Sequence, residues 1–302
     1  TNFLDEDGGV HADLTISRLG VDSYRVVTGG ADGNRDWVTL RNYRDDNGLN
    51  ADINIRTHDI ATLGLWGPKA VNALGNFIDP NEIDIQNFPF VTAKNLTLNL
   101  SGGKKVDVWA ARISYVGESG WEIYFNNNKD DGLALYDSLL EVGVVPVGIE
   151  TYANSRRLEK SFRLQGADLE TEYTAIEAAI QRPLVKEADF HGKAAHLSHR
   201  EEDPCAILCT MTLDDLNVSG VPRYPVGISP IIDPASGEVP VDTKGRRSYT
   251  TGMSYCPSIK KFVVMGYLPK ELAIQGKQLL IEYFNEDGDG VYPITVQIVG
   301  KG

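Results

Sequence analysis

Apolar and polar positions alternate over most of this chain, the period of a pleated strand, and switch to helical spacing in a few stretches. Val10 to Ser17 reads as a strand entered through Gly8-Gly9, and Ser23 to Thr28 as its hairpin partner, turned by Leu19-Gly-Val-Asp and stopped at Gly29-Gly30. Residues 32–42 are predicted helical, with Asp32 offering an N-cap. Strands follow at 52–55 and 62–66. Pro68 suits the first turn of a helix over 69–78. Further strands are expected at 88–91, 96–100 and 105–115. Residues 130–142 form an amphipathic helix, with Leu133, Leu135, Tyr136, Leu139, Leu140 and Val142 on its apolar face. The order over 52–142 suits an α/β sandwich of ferredoxin-like type.

Helices are expected over 151–162 and 175–180, with a short one near residue 190. On the first, Arg156 can pair with Glu159 and Glu159 with Arg163. Residues 200–204 are polar and read as a linker. Beyond Pro204 the texture becomes short β runs parted by Gly, Pro and Asp turns: 206–212, 225–228, 248–253, 261–267, 278–283 and 291–299. Together they predict an all-β sandwich or barrel.

Arg112 to Tyr124 concentrates more chemistry than any other stretch. Ile113 and Tyr115 alternate with Arg112 and Ser114, Gly117-Glu-Ser-Gly is turn chemistry, and Trp121, Ile123 and Phe125 alternate with Glu122 and Tyr124. Glu118 and Glu122 thus sit beside aromatic rings, where a carboxylate can accept from a flat, N–H-rich ring. The same pattern fits an ordinary hairpin with surface glutamates.

The chain has 302 residues, enough for two or three domains, and its 42% hydrophobic and 24% charged composition is that of a globular protein. A net charge of −13 argues against nucleic-acid binding. No apolar run is long enough to span a membrane. Cys205, Cys209 and Cys256, without metal-ligand spacing, point to reduced thiols in a reducing compartment. The sequence opens without Met, on what reads as a hairpin already under way, so sequence upstream is expected.

Common catalytic motifs are absent. There is no dinucleotide fingerprint, phosphate loop or zinc motif, and Gly29-Gly-Ala-Asp-Gly does not match one. His191, His196 and His199 cluster near the linker, where solvent-facing histidines are the plainer reading than a metal site. Asp13 stands between apolar neighbours after a glycine pair. It is either a satisfied polar residue near a strand end or, if partly buried, a carboxylate of raised pKa able to exchange protons or steady a cation.

Several runs, in order, carry a family resemblance. Gly8-Gly-Val-His-Ala-Asp-Leu-Thr-Ile resembles the Gly-Gly-x-x-x-Asp-Leu-Thr-Val signature of the aminomethyltransferase (glycine-cleavage T-protein) family, and is closer to the folate-binding halves of dimethylglycine and sarcosine dehydrogenases. Leu65-Trp-Gly-Pro-Lys-Ala resembles Leu-x-Gly-Pro-x-Ala. The Arg112–Tyr124 run resembles Arg-x-Ser-Tyr-x-Gly-Glu-x-Gly-Trp-Glu-x-Tyr. Arg157-Leu-Glu-Lys-Ser-Phe-Arg-Leu-Gln-Gly resembles Arg-x-Glu-Lys-x-Phe-Arg-x-x-Gly. Asp189-Phe-His-Gly-Lys-Ala-Ala, and Thr251-Gly with Pro257-Ser-Ile-Lys, resemble the family's later signatures.

The resemblance implies an α+β, three-lobed cloverleaf fold around tetrahydrofolate. It places 1–48 with 146–202 in a first folate-binding lobe incomplete at its N-terminus, 49–145 in a ferredoxin-like lobe, and 203–302 in a C-terminal β-barrel. By motif position, Asp13 matches the aspartate near folate N10 and the one-carbon donor, Glu122 the glutamate that grips the pterin, and Tyr115 a tyrosine lining that pocket. Arg157 is carried over as a folate contact. An arginine of the T-proteins falls here on Ala153, beside Tyr152, a candidate catalytic residue that as proton donor to a leaving oxygen would favour an O-demethylase.

The activity implied is tetrahydrofolate-dependent one-carbon transfer from an N-methyl amine or similar methylated small molecule. The alternatives are an O-demethylase of a methoxy compound and a non-catalytic folate-binding relative. Neither nucleic acid nor membrane is an expected partner, whereas a flavin-containing domain or subunit is. The expected location is the cytoplasm, or the mitochondrial matrix in a eukaryote.

Overall fold

The computed structural model describes residues 1–213, 228–285 and 288–300. The chain divides into two compact units, Thr1–Gly33 with Glu150–Gly302, and Asn34–Ile149.

The first unit begins with β1 (Asn2–Leu4) and β2 (Val10–Asp13), an antiparallel pair, then β3 (Thr15–Arg18) and β4 (Tyr24–Val27), a separate hairpin. The expected strand over 10–17 is therefore two strands. They part at Leu14, whose amide donates to Thr1 O at 2.8 Å. Val10 and Ala12 are buried while Asp13 is exposed, as alternation requires.

The second unit holds α1 (Gly33–Asp46), β5 (Ile60–Trp66), α2 (Ala70–Leu74), α3 (Pro80–Ile83), β6 (Ala93–Asn99), β7 (Lys105–Ala111), β8 (Gly120–Asn126) and α4 (Lys129–Glu141). Its four strands make one antiparallel sheet, β5-β8-β7-β6. Leu65, Val106, Val108, Trp121, Ile123 and Phe125 leave one face of that sheet to pack on Leu74, Ile83, Leu135 and Leu139. The two-layer α/β arrangement expected from the sequence is thereby formed.

Four expected elements differ here. Residues 52–55 and 88–91 are not strands. The helix after Pro68 stops at Leu74, because the Asn76 side chain takes the carbonyls of Asn72 and Ala73 at 2.9 and 3.1 Å. The strand expected to reach Tyr115 ends at Ala111, and 112–119 is a broad loop rather than a tight turn. Arg112 is buried and its Nη1 donates to the carbonyls of Ile83, Asp84 and Phe88 at 3.0, 3.0 and 2.8 Å, while Trp66 Nε1 takes Ile113 O at 2.8 Å. With these groups drawn sideways, the ladder cannot continue.

The first unit resumes with a π-helix over Glu150–Arg156 and one turn of α-helix, α5 (Arg157–Glu159). The α-helix predicted over 151–162 is thus mostly replaced by wider winding. The Arg157 Nε takes Ala153 O at 2.9 Å, and Ser161 ends the segment at φ 54°. Residues 175–180 form turns, not a helix: Glu177 and Thr174 exchange side-chain and backbone hydrogen bonds, and Ala179 has φ 54°. After α6 (Lys193–Glu201), which runs into the expected linker, come β9 (Ala206–Leu213), β10 (Ile231–Ile232), β11 (Thr250–Cys256), β12 (Lys261–Pro269), β13 (Gln278–Asn285) and β14 (Gly288–Val299). The run at 225–228 lies, but for Ile228, outside the described residues.

These strands form a six-stranded sheet, β10-β13-β14-β9-β12-β11. Its two edges meet where Pro230 bridges Tyr249, so the sheet curls upon itself, the barrel rather than the sandwich of the two expected forms. Cys209, Met211, Leu213, Met253, Phe262, Val264, Leu279, Ile281 and Ile294 fill the inside. Ala206, Leu208, Val263, Met265 and Tyr267 on the outer face pack against Val10, Leu158, Leu169 and Tyr173. With both faces buried, β9 and β12 read as nearly continuous apolar runs. Cys209 and Cys256 are free and buried, and burial pushes both thiols up to about 12. Among the described residues, no helix is long and apolar enough to cross a membrane.

Candidate functional site

The sequence-derived residues fall in both units, Asp13, Tyr152 and Arg157 in the first and Tyr115 and Glu122 in the second.

In the second unit, Glu122 points away from the helix-covered face of the sheet. Its cross-strand neighbours are Gly64 on β5 and Ala111 on β7, the smallest side chains available. Trp66 lies on the same face and its ring covers Gly64: a Cβ added there would come within 2.0 Å of the indole. Tyr124, two residues on and therefore on the same face, is buried and donates its hydroxyl proton to Glu122 Oε2. Trp109 supports Tyr124 edge-on, with ring centroids 5.1 Å apart. The result is a half-buried carboxylate over two small residues, rimmed by aromatic rings. Burial raises the Glu122 carboxyl above the usual carboxylate range, and the Tyr124 hydrogen bond opposes that rise. Tyr115 is half-buried in the 112–119 loop. Arg112, which begins the same motif, supports the loop from within and lies over the Trp121 ring, 4.9 Å from its centroid.

In the first unit, Asp13 ends β2 and its Oδ1 accepts from Asn2 Nδ2 at 3.1 Å. Its side chain reaches solvent, yet the protein around it raises its pKa through desolvation. The preceding glycine pair explains how the strand is placed. Gly9 bridges Thr174, Val10 N donates to Tyr173 O at 3.2 Å, and a Cβ on Gly9 would lie 2.2 Å from Thr171 O. Tyr152 is half-buried on the π-helical turn. Beside it, Glu150 accepts from Asn154 Nδ2 at 2.5 Å and from Ser254 Oγ at 2.9 Å.

Arg157 is placed differently from the expected folate contact. Its side chain is 1% exposed and its guanidinium donates to Asp168, to Phe162 O at 3.1 Å and to Ala153 O at 2.9 Å. Asp168 also accepts from Thr251 Oγ1 and from Leu164 N at 2.9 Å. The Arg157 and Thr251 motifs therefore meet in one buried cluster that holds the protein together. Pro257-Ser-Ile-Lys does similar work at the surface: Ser258 N donates to Glu159 Oε1 at 3.0 Å and Arg156 Nη1 to Ser258 Oγ at 2.8 Å. Arg156 pairs with Glu159 at 3.0 Å as expected. Arg163 instead turns inward, to the carbonyls of Ala178 and Ser161 at 3.0 and 2.6 Å.

Sequence reasoning missed Tyr124, Gly64, Trp66 and Asp168. Tyr124 carried a usable signal, the two-residue period of its strand. His196, in the cluster near the linker, is buried beside Phe190, and His199 lies against Gly8. Among the described residues, no group of three or more His, Cys, Asp or Glu could hold a metal ion.

The GCVT N-terminal domain family matches residues 1–187. Human mitochondrial dimethylglycine dehydrogenase is 28% identical over 311 residues, covering 98% of this chain and 32% of that protein. An aminomethyltransferase of Symbiobacterium thermophilum is 31% identical over 273 residues, covering 87% of this chain and 66% of its own length. The crystal structure of glycine cleavage system aminomethyltransferase T from Bartonella henselae superposes with a TM-score of 0.75 at 21% identity, covering 98% of this chain and 73% of that one. The chain thus spans about a third of the length of the dimethylglycine dehydrogenases it matches, and the α+β fold its motifs implied is the fold it has. The chain belongs to the GCVT family.

Proposed function

We propose that this chain binds tetrahydrofolate through Glu122 and transfers a one-carbon unit to it from an N-methyl amine at Asp13. The observation that carries the reading is the Glu122 face: a carboxylate over Gly64 and Ala111 with Trp66 and Tyr124 around it. An ionised carboxylate accepts two N–H bonds from an amino-pyrimidinone edge as a charge-assisted pair, and flat aromatic surroundings suit a flat ring. Tyr115 lines the same pterin. Once the flavin-containing partner has taken a hydride from the N-methyl amine, Asp13, exposed but poorly solvated, stabilises the resulting cationic iminium and orients the folate amine that attacks it. Tyr152 supplies a proton to the leaving group. Arg157 is read as internal support rather than a ligand, because its side chain is buried and its Nε and Nη1 donate within the protein.

The likeness to dimethylglycine dehydrogenase supports a secondary or tertiary N-methyl amine as donor, with a flavin-containing domain or subunit as partner and the mitochondrial matrix as the compartment in a eukaryote. Calorimetric titration with tetrahydrofolate tests the reading. Micromolar affinity in the wild type, abolished in Glu122→Ala, is the expected outcome. A Glu122→Ala chain that binds as the wild type does would remove the pterin from Glu122.

A further inference from the structure

We propose that Tyr124 is a positioning residue for pterin binding, fixing the Glu122 carboxylate so that its ionised form faces the ligand. The proposal rests on the folate reading above. Glu122 stands over Gly64 and Ala111, so neither neighbour offers a side chain that could lock its rotation. The Tyr124 hydroxyl does so, by donating to Oε2. Tyr124 is itself held, buried and edge-on to Trp109 at 5.1 Å, its cross-strand partner. A rigid donor on a carboxylate both orients its plane and favours its charged form. Burial alone would hold Glu122 protonated to higher pH, and a protonated carboxyl is a poorer acceptor for two ring N–H groups.

Other charges are remote along this face. Asp107 and Lys105 lie two and four residues before Trp109 on β7, paired with Thr97 and Asn99, and Asp107 accepts from Thr97 Oγ1 at 2.6 Å. On β5 the same-face residues, Ile60, Thr62, Gly64 and Trp66, are uncharged. Glu118 is exposed in the 112–119 loop. Burial is the larger influence on Glu122, and the hydroxyl of Tyr124 is the group that opposes it.

The test uses the whole chain and two readouts. Tetrahydrofolate affinity is measured against pH for wild type and Tyr124→Phe, which keeps the ring and its Trp109 contact. The Glu122 carboxyl carbon, assigned with Glu122→Gln, is titrated by NMR without ligand. The proposal expects Tyr124→Phe to bind on the order of tenfold more weakly at neutral pH, to regain affinity as pH rises, and to titrate Glu122 at higher pH than wild type. Superimposable Glu122 titrations would overturn the coupling whatever the affinity. A wild type that binds no tetrahydrofolate would overturn the pterin role of both residues, while the carbon titration would still report whether the pair is coupled.

Discussion

Arg157 and Asp168 form an ion pair with 1% and 0% of their side chains exposed, and Thr251 completes it from the C-terminal sheet. The pair ties the π-helical turn to β11 and to the Leu164–Leu169 turn. Removing one partner leaves a buried charge uncompensated, which costs about 3–5 kcal/mol. Arg157→Met is therefore expected to lower the urea midpoint sharply, and adding Asp168→Leu to restore part of the loss. A stable Arg157→Met chain that lost only folate affinity would return Arg157 to the ligand set.

Glu122 is predicted to work against stability at neutral pH. Its carboxyl lies above the usual range because burial disfavours the charge. A raised acid holds its proton more tightly in the folded state, so its contribution is present at low pH and is lost as pH rises through the folded pKa. Glu122→Gln should then gain on the wild type as pH rises above the ordinary carboxylate range, read as a widening gap in urea midpoint. A constant gap would mean that Glu122 is not desolvated.

Asp13→Asn should separate binding from transfer. Folate affinity is expected to stay near the wild-type value, while one-carbon transfer from an N-methyl donor supplied as its iminium falls by about two to four orders of magnitude. Transfer at the wild-type rate would take Asp13 out of the mechanism.

Gly64→Ala puts a methyl group where the Trp66 ring now lies, 2.0 Å from its nearest carbon. The ring must move, at a cost of about 1–3 kcal/mol. The expected result is a shifted tryptophan emission, a lower thermal midpoint and weaker tetrahydrofolate binding. Undiminished affinity with a displaced ring would show that Trp66 does not bound the ligand.

The parts of this fold that depend on local pattern were legible in the sequence. Alternation placed Trp121, Ile123 and Phe125 inside and Glu122 outside, and the helical spacing of Leu135 and Leu139 found α4. The β-rich run after Pro204 likewise declared the C-terminal sheet. What failed depended on partners distant in sequence. Arg112 and Arg157 look like solvated charges until the carbonyls of 83–88, or Asp168 and Thr251, are brought to them. The same side-chain bonds cut short the strand before Tyr115 and widened the helix around Tyr152. Gly64 acquires meaning only through its register with Glu122, which no single strand encodes.

The strand that bears Asp13 also has a place in time. Gly9 and Val10 are held by Tyr173 and Thr174, residues made long after them, whereas the sheet that bears Glu122 is built from 34–149 alone. Because chains emerge from the ribosome N-terminus first and fold by domains, the earliest residues must wait while the intervening unit forms. The Glu122 carboxylate is thus in place before that of Asp13, and a chain released before residue 174 would display the first without the template for the second.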